Sequence, residues 1–245
     1  MERDTTTSKP SSAPDAFSFA TALFVAAILA VSYAAGEWRL SVYALSFWYY
    51  LVYALAFFWR RVPLGRFKRD SMVLKTMSLI ALGFVLWSVS PNVLSLVVTA
   101  AGFALNISAF RALGPDRTYY GFELGGIPAK RVTSFPFNVL SHPMLIGNMV
   151  AYGGPLLDET FREEWWPLAA AHVLLNLLIL LMEARAHPGA IAGALWTGSI
   201  LIAGSVLFVT GFTQVWQFAF STVVMGFVFA AILYRRYAME PRKAD

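Results

Sequence analysis

Polar side chains recur at helical spacing inside stretches that are otherwise apolar, and several of them could move a proton or hold a charged ligand. His172, Asn176 and Glu183 lie on one face of a helix, because their separations are close to whole turns. Glu183 lies where this helix should reach the cytoplasmic surface, and polar groups within apolar segments usually mark a site. This face therefore indicates a binding site.

Two further segments carry similar groups. One has small and polar residues at intervals of three or four, namely Ser95, Thr99, Gly102 and Asn106. The other surrounds Gly147 with His142, Asn148 and Tyr152. We expect the three groups to converge on one cavity open to the cytoplasm. The alternative is that these residues only join helices, as small and amide side chains do in membrane bundles, with His172 a hydrogen-bonded packing residue.

The segment between Asn106 and His142 is long, and it mixes basic, aromatic and glycine residues. Its basic members are Arg111, Arg117, Lys130 and Arg131. Guanidinium groups match phosphate oxygens, so this loop could bind a phosphate. Alternatively, these charges only set the orientation of the chain or contact anionic headgroups.

Cysteine is absent, which excludes a disulfide framework, a thiolate nucleophile and a Cys-based metal site. The three histidines are not joined by carboxylates at metal-ligand spacing. We therefore expect no metal.

The elements that must position these groups are membrane helices. The 245 residues are 58% hydrophobic and only 13% charged, and the mean hydropathy is +0.60. The net charge of +5 does not indicate nucleic-acid binding, because the basic residues lie in short segments between apolar runs. The sequence predicts an all-α, polytopic transmembrane bundle.

We predict about eight spans, each close to the length that a bilayer requires. They cover residues 16–36, 41–59, 71–89, 93–110, 134–157, 166–182, 190–212 and 216–234. The fifth is interrupted by Pro and Gly, which is typical of helices that line a cavity. Basic residues, Lys75 included, fall in alternate connections, so the positive-inside rule predicts that both termini are cytoplasmic.

The expected domains are a disordered polar tail over 1–15, N-terminal spans over 16–98, a core over 99–189, and two additional spans with a basic tail over 190–245. The core contains the basic loop and all residues of the three polar groups except Ser95.

Within that core, RVTSFPFNVLSHPM at 131–144 resembles a stretch of the phospholipid (phosphatidylethanolamine) N-methyltransferase family. The resemblance extends back through SAFRALG at 108–114 and covers about 85 residues, from near Ala100 to Glu183. HPMLIG at 142–147 also resembles an element of the more distant isoprenylcysteine carboxyl methyltransferases.

The resemblance implies an integral membrane enzyme that uses S-adenosyl-L-methionine and methylates the amino headgroup of a phospholipid toward phosphatidylcholine. It assigns cofactor binding to the Gly-x-Gly position Ala100, Ala101 and Gly102, to His142, and to Glu183. The family has a Glu-Glu pair where this chain has Met182 before Glu183, and an acidic residue where this chain has Phe122 before Glu123.

Methyl transfer to an amine requires removal of a proton, for which Glu123, His142 or a water molecule are candidates that the sequence does not distinguish. Arg117 and Arg131 are candidates for binding the substrate headgroup. Two alternatives remain: methylation of another membrane-dissolved acceptor, prenyl or sterol-like, and a non-catalytic membrane protein that retains the fold. The expected location is the endoplasmic reticulum membrane in a eukaryote or the inner membrane in a bacterium.

Overall fold

A computed structural model describes residues 38–59 and 63–184, together with a few isolated positions between 26 and 36. Contacts divide the chain into two compact units, Met1–Ser41 and Val42–Asp245. The predicted tail at 1–15 and the two spans within 190–234 lie outside the described residues, and the first span falls largely outside them.

The described chain is helical and contains no strand. Its helices are α1 (Arg39–Ser46), α2 (Trp48–Trp59), α3 (Leu64–Val89), α4 (Val93–Leu113), the single turn α5 (Pro115–Thr118), α6 (Pro143–Gly153) and α7 (Glu159–Ala184). A 3₁₀ turn, η1, connects α6 to α7 and spans Gly154–Leu157.

The helices α3 and α4 are long and apolar enough to cross a membrane. Large apolar side chains cover their outer surfaces, with Trp87 84% exposed and Val93 76% exposed. Such exposure is costly in water and favourable in lipid, which agrees with the predicted membrane bundle.

Two helices begin about two turns earlier in the chain than predicted. The helix predicted at 71–89 begins at Leu64, and the helix predicted at 166–182 begins at Glu159. Charged residues fill the added turns, because a helix can extend beyond the apolar slab once its polar face meets water and headgroups. The run at 41–59 is two helices, separated at Phe47.

The interrupted fifth segment is helical only over Pro143–Gly153 and the following 3₁₀ turn. Proline at the first helical position of α6 needs no hydrogen-bonded N–H, so the helix begins there. Residues 119–142 run through turns and bends, which agrees with the predicted long loop.

Asn92 and Asp158 join the ends of two helices. The Asn92 side chain accepts a hydrogen bond from Ser95 N at 2.9 Å and caps α4, while Asp158 accepts one from Phe161 N at 3.0 Å and caps α7. Asn92 N also donates to the Asp158 carboxylate at 2.9 Å. These backbone donors lower the pKa of Asp158, because they stabilise its charged form.

Candidate functional site

A cavity of 590 Å³ lies among α2, α3, α6, α7 and the loop that follows α5. Tyrosine and phenylalanine side chains of α2 form one wall, and the turns between Leu113 and His142 form another. The volume falls within the range of about 300–1,000 Å³ that is usual for small-ligand sites.

Glu183 lies near the C-terminal end of α7 and is the centre of the polar part of the cavity. Its Oε1 accepts a hydrogen bond from the Tyr120 hydroxyl at 2.7 Å. Its Oε2 lies 3.6 Å from Nδ1 of His142. The side chains of His142 and Glu183 keep 32% and 24% of their exposure, so both remain accessible to a ligand.

The turn that carries Tyr120 is held in an unusual conformation. Tyr120 has φ +55°, in the left-handed region that a non-glycine residue adopts rarely. The N–H of Gly121 donates to Asp116 O at 2.8 Å and closes the turn. The Tyr120 ring stacks on Phe67 with centroids 5.7 Å apart. These contacts fix a strained backbone so that the Tyr120 hydroxyl meets Glu183, and such strain is typical of functional sites.

The electrostatics of the cluster follow from these neighbours. The carboxylate of Glu183 raises the pKa of His142, because it stabilises the imidazolium, while partial burial opposes this effect. Burial raises the pKa of Tyr120, and the charge of Glu183 raises it further. Tyr120 is therefore a phenol at neutral pH and donates to Glu183.

A chain of hydrogen bonds joins the three polar groups, although no residue of the stripe from Ser95 to Asn106 lines the cavity. Asn106 Nδ2 donates to Asn148 Oδ1 at 2.8 Å, and Asn148 Nδ2 donates to Asn176 Oδ1 at 3.2 Å. Asn176 Nδ2 then donates to the Tyr50 hydroxyl at 2.6 Å. Tyr50, Asn148 and Asn176 line the cavity, so this network forms part of its wall.

His172 lies behind that wall. It is fully buried, its Nδ1 lies 2.9 Å from the Tyr50 hydroxyl, and its ring stacks on Tyr152 with centroids 3.8 Å apart. His172 and Tyr152 are not cavity-lining residues. Both therefore have the packing role that the alternative interpretation gave to His172.

The basic residues of the loop divide into two sets. Arg117, Lys130 and Arg131 line the cavity, whereas Arg111 is exposed and does not. Arg117 donates to the carbonyl oxygen of Pro128 at 3.4 Å. The two predicted headgroup residues, Arg117 and Arg131, therefore border the same space as Glu183.

The structure does not bring Ala100, Ala101 and Gly102 to this cavity. Ala100 and Ala101 are exposed. Gly102 is buried against α6, where an added Cβ would meet the carbonyl oxygen of Gly147 at 2.6 Å. This close contact brings Asn106 within 3.0 Å of the Met144 carbonyl, to which it donates. The contacts of Gly102 are those of helix packing.

Glu123 lines the cavity, as the prediction of a catalytic role requires. Tyr120, Tyr50 and Lys75 also line the cavity, and the sequence patterns did not predict this. Tyr50 stands in an apolar run, and Lys75 was counted only among the basic residues that set orientation. Among the residues that the structure describes, no group of three or more His, Cys, Asp or Glu side chains is placed to hold a metal.

Comparison with known proteins gives a family match and several curated relatives. Residues 90–188 match the family described as phospholipid methyltransferase. The phosphatidylethanolamine N-methyltransferases of Mus musculus and Homo sapiens are each 41% identical over 61 residues, 25% of this chain and 31% of theirs. Phosphatidylethanolamine N-methyltransferase A of Dictyostelium discoideum is 38% identical over 61 residues, 25% of this chain and 29% of its own.

These alignments span less than a third of the length of the curated relatives. No solved structure matches the chain. The resemblance to the phospholipid methyltransferase family that residues 131–144 indicated is confirmed, and the match covers residues 90–188.

Proposed function

We propose that this chain is a membrane enzyme that transfers a methyl group from S-adenosylmethionine to the amino headgroup of a phospholipid, phosphatidylethanolamine or its methylated derivatives, toward phosphatidylcholine. The observation that carries the proposal is the cluster of Glu183, His142 and Tyr120 at the cavity. The cluster lies within the segment that matches the family, and the relatives are named for this reaction.

The residues present fit a methyl donor that carries a sulfonium and an ammonium group. A carboxylate has about four acceptor positions, and Tyr120 and His142 approach Glu183 at only two of them. Tyr53, Phe57 and Tyr120 line the cavity with aromatic rings, which attract cations through their faces. The pairing of a carboxylate with aromatic walls therefore suits a cationic ligand.

The chemistry that the bound donor supplies is an electrophilic methyl group on sulfur. Glu183 binds and orients the donor's ammonium group, and the aromatic wall excludes water from the reacting atoms. His142 accepts the proton that the substrate ammonium must lose, because its imidazole lies at the cavity and Glu183 stabilises the imidazolium. Glu123 is the second candidate for this role, since it also lines the cavity.

The lipid phosphate is bound by the basic part of the loop. Arg117 and Arg131 line the cavity together with Glu183. A phospholipid headgroup carries a phosphate close to its amine, so guanidinium groups and a carboxylate on one cavity match its two charges.

The assignment of Ala100, Ala101 and Gly102 to the donor stays a prediction. The packing of Gly102 on Gly147 favours an indirect role, because this contact holds α6 against α4 and α6 begins beside His142. A bulky residue at position 102 would then displace His142 without touching a ligand.

The proposed arrangement in the membrane keeps about eight spans and two cytoplasmic termini, as the charge pattern predicts. The methyltransferase core remains residues 99–189, with spans on both sides, in the endoplasmic reticulum membrane of a eukaryote or the inner membrane of a bacterium. The polar end of the cavity then faces the cytoplasm, from which a water-soluble donor enters.

The test is expression of the chain in a host that lacks phosphatidylcholine, followed by mass spectrometry of the lipids. We expect mono-, di- or trimethylated phosphatidylethanolamine that is absent from cells with empty vector. Label from the methyl donor in a prenyl or sterol-like lipid instead would favour the other acceptor class. Purified protein that binds no S-adenosylmethionine and labels no lipid would support the non-catalytic alternative.

A further inference from the structure

Lys75 lies inside the membrane helix α3. It is about three turns from the start of α3, a helix long and apolar enough to cross a bilayer. Ser71 and Ser78, one turn before and one turn after it, are fully buried, and Leu74 is 2% exposed. Lys75 is therefore on the inward face of α3, and its side chain lines the cavity.

No hydrogen bond or ion pair engages the Lys75 ammonium within the part of the chain that the structure describes. Lys68, two turns earlier on α3, differs in this respect, because it binds the Asp116 carboxylate at 2.8 Å. Two carboxylates, Glu123 and Glu183, line the same cavity, and neither is paired with Lys75; Glu183 is engaged by Tyr120 and His142 instead.

A charged group without a partner at membrane depth is costly, and such groups usually mark the path or the site of a ligand. A lysine near a helix end can instead extend its ammonium to the headgroup region. Lys75 does not require that explanation, since its side chain already borders a cavity of 590 Å³, which is large enough for a small ligand. The missing counterion can therefore be brought by the ligand.

We propose that Lys75 binds an anionic group of a ligand that enters this cavity. The choice of ligands rests on the proposed function. On that basis, the anion is either the phosphate diester of the phospholipid or the carboxylate of the methyl donor. An ammonium suits both, because it acts as a point charge with three freely rotating donors.

The experiment measures binding to the purified full chain in lipid nanodiscs, comparing wild type, Lys75→Gln, Lys75→Arg and Lys68→Gln. One probe pair is S-adenosylhomocysteine and methylthioadenosine, which share a thioether nucleoside, whereas only S-adenosylhomocysteine carries the amino-acid group with its carboxylate and ammonium. The other is short-chain phosphatidylethanolamine and the diacylglycerol with the same chains, which differ in the phosphate headgroup. Lys68→Gln removes the same charge from the same helix outside the cavity.

We expect Lys75→Gln to lower the affinity for one anionic probe at least about tenfold, which is the loss typical of a hydrogen bond to a charged group. Lys75→Arg should retain most of that affinity, and Lys68→Gln should match wild type. A loss confined to phosphatidylethanolamine identifies the phosphate, and one confined to S-adenosylhomocysteine identifies the carboxylate.

Equal affinities of Lys75→Gln and wild type for both anionic probes would overturn the proposal. An equal loss of affinity for methylthioadenosine or diacylglycerol would also overturn it, because the effect of Lys75→Gln would then not depend on the anion. Wild-type protein that binds neither anionic probe would overturn this proposal and the proposed function together. If Lys75 acts as described but no lipid is methylated, only the proposed function fails.

Discussion

The imidazole Nδ1 of His142 lies 3.6 Å from Oε2 of Glu183, although the two residues come from different elements. His142 immediately precedes α6, and Glu183 is near the end of α7. Their contact brings a proton acceptor and a carboxylate to one end of the cavity, with the Tyr120 hydroxyl on the other carboxylate oxygen.

Glu183→Gln should weaken binding of S-adenosylmethionine by at least about tenfold, because an amide cannot neutralise the ammonium group. Isothermal titration calorimetry on purified protein measures the change. The matched control is Glu163→Gln, at the opposite end of the same helix, where the side chain is exposed. Unchanged affinity in Glu183→Gln would contradict the assignment of this residue to the donor.

Glu183→Gln should also lower the pKa of His142 toward its ordinary value, since the carboxylate is the main cause of its increase. Nuclear magnetic resonance titration of the imidazole measures this shift, and the sequence has only three histidines to assign. Glu163→Gln should leave the titration unchanged. A His142 pKa that does not respond to Glu183 would mean that the two groups do not interact in the membrane.

Stability should depend on pH through the same pair. Because the folded state raises the pKa of His142, the imidazolium contributes stability below its unfolded pKa of about 6.5, and this contribution is lost as pH rises through the folded pKa. The difference in Tm between wild type and His142→Gln should therefore be larger at pH 6 than at pH 9. A difference in Tm that increases with pH would contradict this prediction.

Asn176→Ala should lower the free energy of unfolding by about 2 kcal/mol, because it removes one hydrogen bond from each of the buried side chains of Tyr50 and Asn148. Denaturation in mixed micelles measures the loss. The control Leu177→Ala removes an exposed apolar side chain from the adjacent position of α7 and should have a smaller effect. Equal effects would indicate that the network adds no stability.

Gly102→Val should destabilise the fold by about 1–3 kcal/mol, or prevent folding, because its side chain would collide with the backbone of α6. Ala100→Val is the matched control, since Ala100 is exposed two positions earlier on α4. If Ala100→Val instead abolished donor binding in a stable protein, the predicted Ala100–Gly102 cofactor element would be supported.

Asp158→Asn should lower the free energy of unfolding by about 1 kcal/mol at neutral pH, because it removes the negative charge that strengthens the hydrogen bonds from Phe161 and Asn92 at the start of α7. The pKa of Asp158 is lowered by the N–H groups of Phe161 and Asn92, so its contribution is present above the unfolded pKa and is lost as pH falls through the folded one. The gap in Tm between variant and wild type should close on acidification. A gap that persists at low pH would show that the carboxylate charge is not its cause.

The sequence by itself determined the features that depend on local spacing and composition. The stripe from Ser95 to Asn106 faces protein, as predicted, since periodicity alone places side chains on one face of a helix. The family resemblance could also be recognised from the sequence, because RVTSFPFNVLSHPM is a continuous stretch of chain. The membrane character followed from composition.

Only the tertiary structure decided which of these residues share a cavity. The Tyr120 hydroxyl reaches Glu183 through a left-handed turn, and no spacing rule connects positions 63 residues apart. Lys75 lies within the predicted span 71–89 and was counted only among the charges that set orientation, whereas the packing of α3 places its side chain at the cavity. Gly102 packs on Gly147 because two helices meet there, and that contact depends on how the helices pack against each other rather than on the sequence of either one.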